Sequence, residues 1–538
     1  MSPAMAGASV DPDTALHAYA RARFADGEGA LGIAVASYRA ALADDPARLE
    51  IARRSYAQAL ESGDMALAMQ SAALLDQAGA LPRDGTLLRI CAALGRKDWG
   101  GAQQLTDRMV EEGNFAFLAP IIRSWISLGD RRYAAPVIDG KDRFGALAAR
   151  YLDEHVALQA IMQRDIAGAI VAMRRAVALR SSDDAALRVT FAGQLAAHGE
   201  RSAALDFLPE GDARFVKART DLLRGKKAGV AGAPISPGQG FGRLLSRLAI
   251  DIASDQTGAA LGIRLARIAT FADPSGAEAH IVAARLLVGG GYAAYAAQEA
   301  RKVPVNGWYG RLGQAELIDA LAADGNKDGA IVLARALAAT PGAGAEQQVQ
   351  LGRLLADMAD YDGAAAAFHA AQADYAPDVV PWALLLFEGS ALEQGKRWDE
   401  ARAVLERAAK IAPREPVVLN YLGYAQIERR QNVDAALELL KRASALKPQD
   451  ASITDSLGWA QFVTGDAKAA VPVLERAAAG APADPTINEH LGDALWVVGR
   501  RYEARYAWRA ALAVAEGAAI TRLDAKTREG MKPEYAAP

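Results

Sequence analysis

The sequence predicts an all-α protein: a right-handed superhelical solenoid of about fourteen helix pairs, set out in two arms. Three observations lead there. The C-terminal segments NYLGYAQIERRQNVDAALELLKRASALKP, DSLGWAQFVTGDAKAAVPVLERAAAGAP and EHLGDALWVVGRRYEARYAWRAAL align on a Leu-Gly pair and recur at steps of 35 and 34 residues. Small residues keep the same clock through the rest of the chain. Hydrophobic residues make up 51% of the sequence and aromatics only 7%, with much of the apolar share in alanine. Alanine is the strongest helix former and buries little area, so a core built from it works by close approach of helices. A length of 538 residues would otherwise suggest roughly three or four globular domains, but a repeat array grows in one dimension and never outgrows a single core.

Leu422, Leu457 and Leu491 hold one repeat position, with Gly423, Gly458 and Gly492 beside them. These glycines belong on the first helix of each pair, where the second crosses it. A side chain there would push the axes beyond the usual ~8–10 Å. Ala436, Ala470 and Ala504 are the matching small residues of the second helix, followed by Ala443, Ala477 and Ala511, and Pro448 and Pro482 close two repeats. Gly465-Asp466 and Gly499-Arg500 mark the turns between helices, where glycine ends a helix. Backwards, the second-helix position continues through Ala401, Ala364, Ala330, Ala296 and Gly262. In the N-terminal half it runs through Ala34, Ala68, Ala102, Ala135, Ala169 and Ala203. One step breaks the clock, because Ala203 and Gly262 are 59 residues apart. Six pairs therefore precede the break and eight follow it. The spacing of small, large and proline positions resembles the tetratricopeptide repeat (TPR).

The break falls in RGKKAGVAGAPISPGQGFGR, Arg224 to Arg243, whose glycine, proline and serine content predicts an irregular connector. The expected organisation is a disordered N-terminus or export-signal remnant at 1–10 and an N-terminal TPR array at 11–223. A Gly/Pro-rich connector at 224–240 then leads to a C-terminal TPR array at 241–515, with a capping helix and tail at 516–538. The connector is expected to be the least ordered internal segment. Ala4-Met5-Ala6 before Gly7 has the A-x-A form of an export cleavage site, without the charged and apolar segments that precede such sites; chance in an alanine-rich chain gives the same pattern.

Composition excludes several function classes. Lys+Arg 61 against Asp+Glu 64 leaves net charge −3, with no basic excess for nucleic acid. No stretch approaches the ~18 apolar residues of a membrane helix. The single cysteine, Cys91, rules out a disulfide framework and a multi-cysteine zinc site, and reads as a buried structural thiol. The six histidines form no H-E-x-x-H, and His198-Gly199-Glu200 lacks the cysteines that a zinc deaminase needs. Gly238-Gln239-Gly240-Phe241-Gly242 follows no strand and has the wrong spacing for a dinucleotide loop. No catalytic, cofactor-binding or metal-ligating residue is assigned, no cofactor is expected, and the protein is read as no enzyme.

The expected site is a concave groove that holds a protein or peptide. In TPR pairs the first helix lines the groove through repeat positions 2, 5, 9, 12 and 13. Here those positions bring together Asn420, Tyr424, Ile427, Glu428, Asp455, Trp459, Phe462, Glu489, Asp493 and Trp496. Aromatic anchors among carboxylates suit an extended segment or helix with apolar and basic side chains. The competing reading packs the aromatics between repeats and leaves the charges solvated. The groove that binds chaperone C-termini places lysine at position 5. Asn420, Asp455 and Glu489 stand there instead, so that ligand class is not expected.

Residues 417–515 resemble one group in particular. VVLNYLGYAQIERRQNVDAALELLKRASALKP, ITDSLGWAQF and PTINEHLGDALWVVGRRYEARYAWRAAL are similar to the C-terminal repeats of long, alanine-rich proteobacterial TPR proteins of the cell envelope. PWALLLFEGSALEQGKRWDEA and FGRLLSRLAIDIA extend the resemblance over most of 240–515. Better-studied members are outer-membrane lipoproteins that act as adaptors for a periplasmic carboxyl-terminal-processing protease. The resemblance implies an envelope scaffold, periplasmic or envelope-associated where an export signal lies upstream and cytoplasmic otherwise. No lipobox cysteine is present, since Cys91 is internal. The alternatives are a cytoplasmic TPR regulator or an enzyme with a cryptic site near the 224–243 connector.

Overall fold

The computed structural model describes residues 12–138, 145–178, 184–341, 343–532 and 535. The expected export remnant at 1–10 and most of the expected tail lie outside them. Twenty-nine α-helices and no strand occur among the described residues. The first seven are α1 Pro12–Gly27, α2 Leu31–Asp44, α3 Leu49–Ser62, α4 Met65–Gln77, α5 Gly85–Gly95, α6 Trp99–Glu111 and α7 Ala119–Gly129. Next come α8 Gly145–Met162, α9 Ile166–Ala178, α10 Ala185–Ala197, α11 Arg201–Asp206, α12 Val216–Leu223, α13 Pro237–Ala253 and α14 Ala259–Ala272. The middle holds α15 Ala277–Gly289, α16 Ala293–Ala300, α17 Gly310–Ala323, α18 Lys327–Ala338, α19 Ala345–Asp357, α20 Tyr361–Ala371, α21 Trp382–Gln394 and α22 Trp398–Ile411. The last seven are α23 Pro416–Glu428, α24 Val433–Leu446, α25 Ala451–Val463, α26 Ala467–Gly480, α27 Pro485–Val497, α28 Arg501–Leu512 and α29 Ala518–Glu529. No described helix is long and apolar enough to cross a membrane.

The clock read from side chains is also a clock in backbone conformation. In all but one of the described turns between a first and a second helix a residue adopts positive φ: Gly29, Gly63, Lys97, Arg164, Gly199, Gly291, Gly325, Ala359, Lys396, Arg430, Gly465 and Gly499. At Gly465 the turn closes as a left-handed cap, with the Asp466 amide donating to the Gln461 carbonyl at 2.9 Å. Asp466 then caps α26 by accepting from the Ala469 amide at 3.0 Å. The repeat with one extra residue absorbs it in this turn, where both Arg430 and Asn432 take positive φ.

The small residues lie where the helices cross. A Cβ added at Gly423 would sit 2.9 Å from Leu440 Cγ, and one at Gly458 2.7 Å from Leu474 Cγ. At Gly492 it would run into the Trp508 indole. Gly352 and Gly389 make the same close approach in the repeats before these, against Phe368 and Leu405. Of the second-helix alanines, Ala34, Ala68, Ala102, Ala169, Ala296, Ala330, Ala364, Ala401, Ala436, Ala470 and Ala504 are wholly buried. Two positions depart from the clock. Ala203 is only half-buried and its neighbour Ala204 takes the core place. Ala135 lies exposed in non-helical chain after α7, so that pair has no second helix among the described residues.

The division into arms differs from the expected one. The chain forms two compact units, 1–350 and 351–538, with the boundary inside α19 and none at 224–240. The expected connector is packed instead. Ala228, Ala231 and Ile235 are buried. Gln194 Nε2 on α10 donates to the Ala231 and Ala233 carbonyls at 3.1 and 2.8 Å. Ser236 and Gln239 form a reciprocal capping box that starts α13 at Pro237. The glycine and proline content thus serves close packing and a helix start.

In unit 1–350 the α13–α14 hairpin packs against α3, α5, α7 and α8. These are first helices of pairs, so the inner face over this stretch of the array is filled by its own chain. Gly240 lets α13 lie against the buried Trp125 ring. Glu154 on α8 accepts from Arg243 at 3.3 Å and Arg247 at 3.0 Å. Asp84 pairs with Arg264 at 2.9 Å. Cys91 is buried against the Ile268 carbonyl, and burial pushes its thiol up to about 12.

A second buried cluster gives a pH prediction. Burial acts to raise the Glu299 carboxyl, but His280, Arg267 and Lys302 outweigh it and hold it at about 2. A depressed carboxyl stabilises the fold above its ordinary range and loses that contribution as pH falls toward the folded value. Glu299→Gln should therefore lower the melting temperature at neutral pH, and its deficit should shrink between about pH 5 and pH 3. Thermal melts across that range check it, and a deficit unchanged at the acid end would contradict it.

Candidate functional site

The first helices α21, α23, α25 and α27 present an open concavity in unit 351–538. Its cavity is about 380 Å³, and Glu393, Asn420, Tyr421, Tyr424, Ser452, Asp455, Ser456, Asp484 and Thr486 line it. Short polar caps set these helices in place. Asp450 accepts from the Ile453 amide at 3.2 Å to start α25, and Asp484 accepts from the Thr486 and Ile487 amides to start α27. With crossing glycines behind them, the helices stand close enough for successive repeat positions to share one face.

Of the ten expected groove residues, Asn420, Tyr424 and Asp455 line this cavity. Burial raises the Tyr424 hydroxyl above its ordinary range, helped by the neighbouring Glu428 and Asp455. Tyr421 is raised by burial and by Glu393, whose Oε2 accepts its hydroxyl at 2.6 Å. Asp455 pairs with His490 Nδ1 at 2.9 Å from behind the cavity wall.

The remaining expected residues are placed otherwise. Ile427 is buried between repeats. Trp459 is only 4% exposed, stacked on His490 at 3.9 Å and on Phe462 at 5.1 Å. Its indole Nε1 donates to Glu428 at 3.1 Å, which leaves Glu428 exposed but engaged. Trp496 is half-buried against Trp508 at 5.4 Å, with the Arg501 and Arg505 guanidinium groups 5.2 and 5.0 Å from its ring centre. Packing between repeats for Trp459, and against the second helix of its own pair for Trp496, replaces the expected open anchors.

The carboxylates of the last repeat are also taken. Glu489 accepts from Arg522 at 2.7 and 2.8 Å and from Lys526 at 2.7 Å. Asp493 accepts from Lys526 at 2.8 Å and from Trp508 Nε1 at 2.9 Å. Burial acts to raise the Glu489 carboxyl, but Arg522 and Lys526 hold it below the ordinary range. The reason is α29. It stands where the first helix of another repeat would stand, with Lys526 34 residues after Gly492, and supplies in cis the basic groups expected from a partner.

Sequence reasoning passed over Tyr421, which lies outside the counted positions, and Glu393, which falls at position 12 of the preceding repeat, where Gly389 matches Gly423. It also omitted Val463 and Val497, 37% and 58% exposed. Both fall at position 13 by the count that selected Glu428, and that count was the signal for them.

Among solved structures, the chain is similar to MamA, at 21% identity over 36% of this chain and 98% of that one, with TM-score 0.28. It is likewise similar to MamA from Desulfovibrio magneticus RS-1, at 16% identity over 32% of this chain and 94% of that one, with TM-score 0.29. TTC0263, a thermophilic TPR protein of Thermus thermophilus, matches at 21% identity over 34% of this chain and 97% of that one, with TM-score 0.29. No curated protein matches the chain. Residues 349–416 and 422–485 match the tetratricopeptide repeat family model, so the TPR repeats read from the Leu-Gly clock are present in that stretch of the chain.

Proposed function

We propose that the protein is a non-enzymatic scaffold or adaptor that holds a segment of another protein in the concavity of unit 351–538. The observation that carries this is the open cavity of about 380 Å³ on the first-helix face of the TPR repeats, lined by two tyrosines and hydrogen-bonding side chains. In unit 1–350 the first helices α3, α5, α7 and α8 are covered by α13–α14, whereas α21, α23, α25 and α27 keep their shared face open. Half-buried tyrosines beside polar groups are the residue types that anchor interface centres.

The resemblance of residues 417–515 to envelope TPR proteins supports a finer reading: a bacterial envelope scaffold that serves as adaptor for a processing protease, rather than a cytoplasmic regulator. The test is site-specific photo-crosslinking in the source cell. A benzophenone side chain at Ser452, exposed on the cavity rim, should capture a discrete partner. The same group at Glu475, exposed on second helix α26, should not. Equal capture at both positions would refute the groove. Fractionation of the crosslinked product decides the compartment, and a wholly cytoplasmic product would leave only the regulator.

A further inference from the structure

Three successive first helices carry an acceptor at repeat position 5: Asn420, Asp455 and Glu489. Two of them are satisfied by the helix that follows. Asp455 takes His490 of α27 at 2.9 Å, and Glu489 takes Arg522 and Lys526 of α29. The third is not. Asn420 Oδ1 is sheltered from solvent with no hydrogen-bond partner, and it lies in the cavity wall. A sheltered acceptor without a donor is costly unless something arrives to fill it.

The rest of the wall has the same polarity. Glu393, Asp455 and Asp484 contribute carboxylates, and the rings of Tyr421 and Tyr424 stand beside them. No lysine, arginine or histidine lines the cavity. Arg429 reaches Glu393 at 2.9 Å and stacks 4.3 Å from the Trp398 ring, so it is no lining residue and leaves the other Glu393 oxygen with the Tyr421 hydroxyl. Arg429 and His490 meet Glu393 and Asp455 from outside the lining, and the acceptors and π faces that remain toward the cavity match a guanidinium or ammonium group, which donates several hydrogen bonds and lies favourably over an aromatic face. The last repeat shows the same chemistry satisfied in cis, where α29 sends an arginine and a lysine onto Glu489 and Asp493.

Resting on the reading of this cavity as the partner site, we infer that it is a cation subsite. It selects an extended protein segment by one arginine or lysine side chain, whose head group donates to Asn420 Oδ1 and the adjoining carboxylates while its stem lies on Tyr424. A segment carrying a carboxylate at that point is rejected.

The experiment uses the full chain and a phage-displayed library of random dodecapeptides. Clones are sorted by whether they bind wild type but not Asn420→Leu or Ser452→Lys. The second variant places a tethered ammonium at a rim position that is exposed and outside the core. Groove-dependent clones should be enriched at least threefold in arginine and lysine over the input library. In a selected peptide, replacing the basic residue by citrulline or norleucine should weaken binding to wild type at least tenfold, and a loss below threefold would overturn the cation subsite. Groove-dependent clones without basic enrichment would overturn the cation subsite and leave the groove standing. Clones that bind wild type and both variants alike, or no clones at all, would overturn both.

Discussion

Lys526→Met is expected to undock α29 and cost about 3–5 kcal/mol, the largest loss of any single charge removal in the C-terminal unit. The Lys526 side chain has no exposure, and it contacts Asp493, which has none, and the nearly buried Glu489. Removing the ammonium leaves two carboxylates sheltered from water, with Arg522 reaching only Glu489. Desolvation of an unpaired charge costs more than the pair itself contributed. A terminal helix of a repeat array can detach without unfolding the rest, so the loss should be local. Amide hydrogen exchange should therefore rise across residues 518–529, and Trp496 and Trp508 fluorescence should shift toward that of solvated indole. The double change Lys526→Met, Asp493→Leu removes both charges and should recover most of the protection. If the single change leaves exchange over 518–529 untouched, the pair does not hold the helix.

The features of this molecule that were legible are those where one residue type has a single physical reason to be present. A glycine at 423, 458 and 492 leaves room for a crossing helix, and Leu440, Leu474 and Trp508 occupy that room. Alanine on the second helix serves the same contact from the other side. Both signals depend on neighbours at fixed sequence distance, which a single sequence displays. Ala135 shows the limit, because alanine is common enough here to keep time where no second helix exists among the described residues.

The fold-back of α13–α14 was hidden for the complementary reason. Its contacts join residues far apart in sequence, such as Cys91 with Ile268 and Asp84 with Arg264. No periodic pattern records such pairs. Gly/Pro density in 224–243 gave the same signal for a solvated linker as for a tightly packed turn with a proline-started helix. The groove was half legible. Repeat position told which side chains point inward, but not that α29 would cover the last repeat. ITRLDAKTREGM reads as a polar cap until Lys526 and Arg522 are seen to face Glu489 and Asp493.

Trp459→Ala separates a groove anchor from a packing residue, and the structure assigns Trp459 to packing. The ring is 4% exposed and stacked against two neighbouring rings, and its Nε1 is bonded to Glu428. Truncation removes a large buried side chain and should cost about 3–5 kcal/mol. It also strips the stacked neighbour from His490, whose partner Asp455 forms the cavity wall. For a unit of this size the melting temperature should fall on the order of 10 °C, or the melt should broaden as the repeats on either side uncouple. Partner affinity would then fall as a consequence of lost structure, and in proportion to the folded fraction. Tyr424→Ser is the matched control, since its half-buried ring faces the cavity. It should weaken partner binding by about 2 kcal/mol with a smaller change in the melt. Should Trp459→Ala keep its melting temperature and lose the partner, the indole is an anchor after all, and the stacked arrangement with His490 must open on binding.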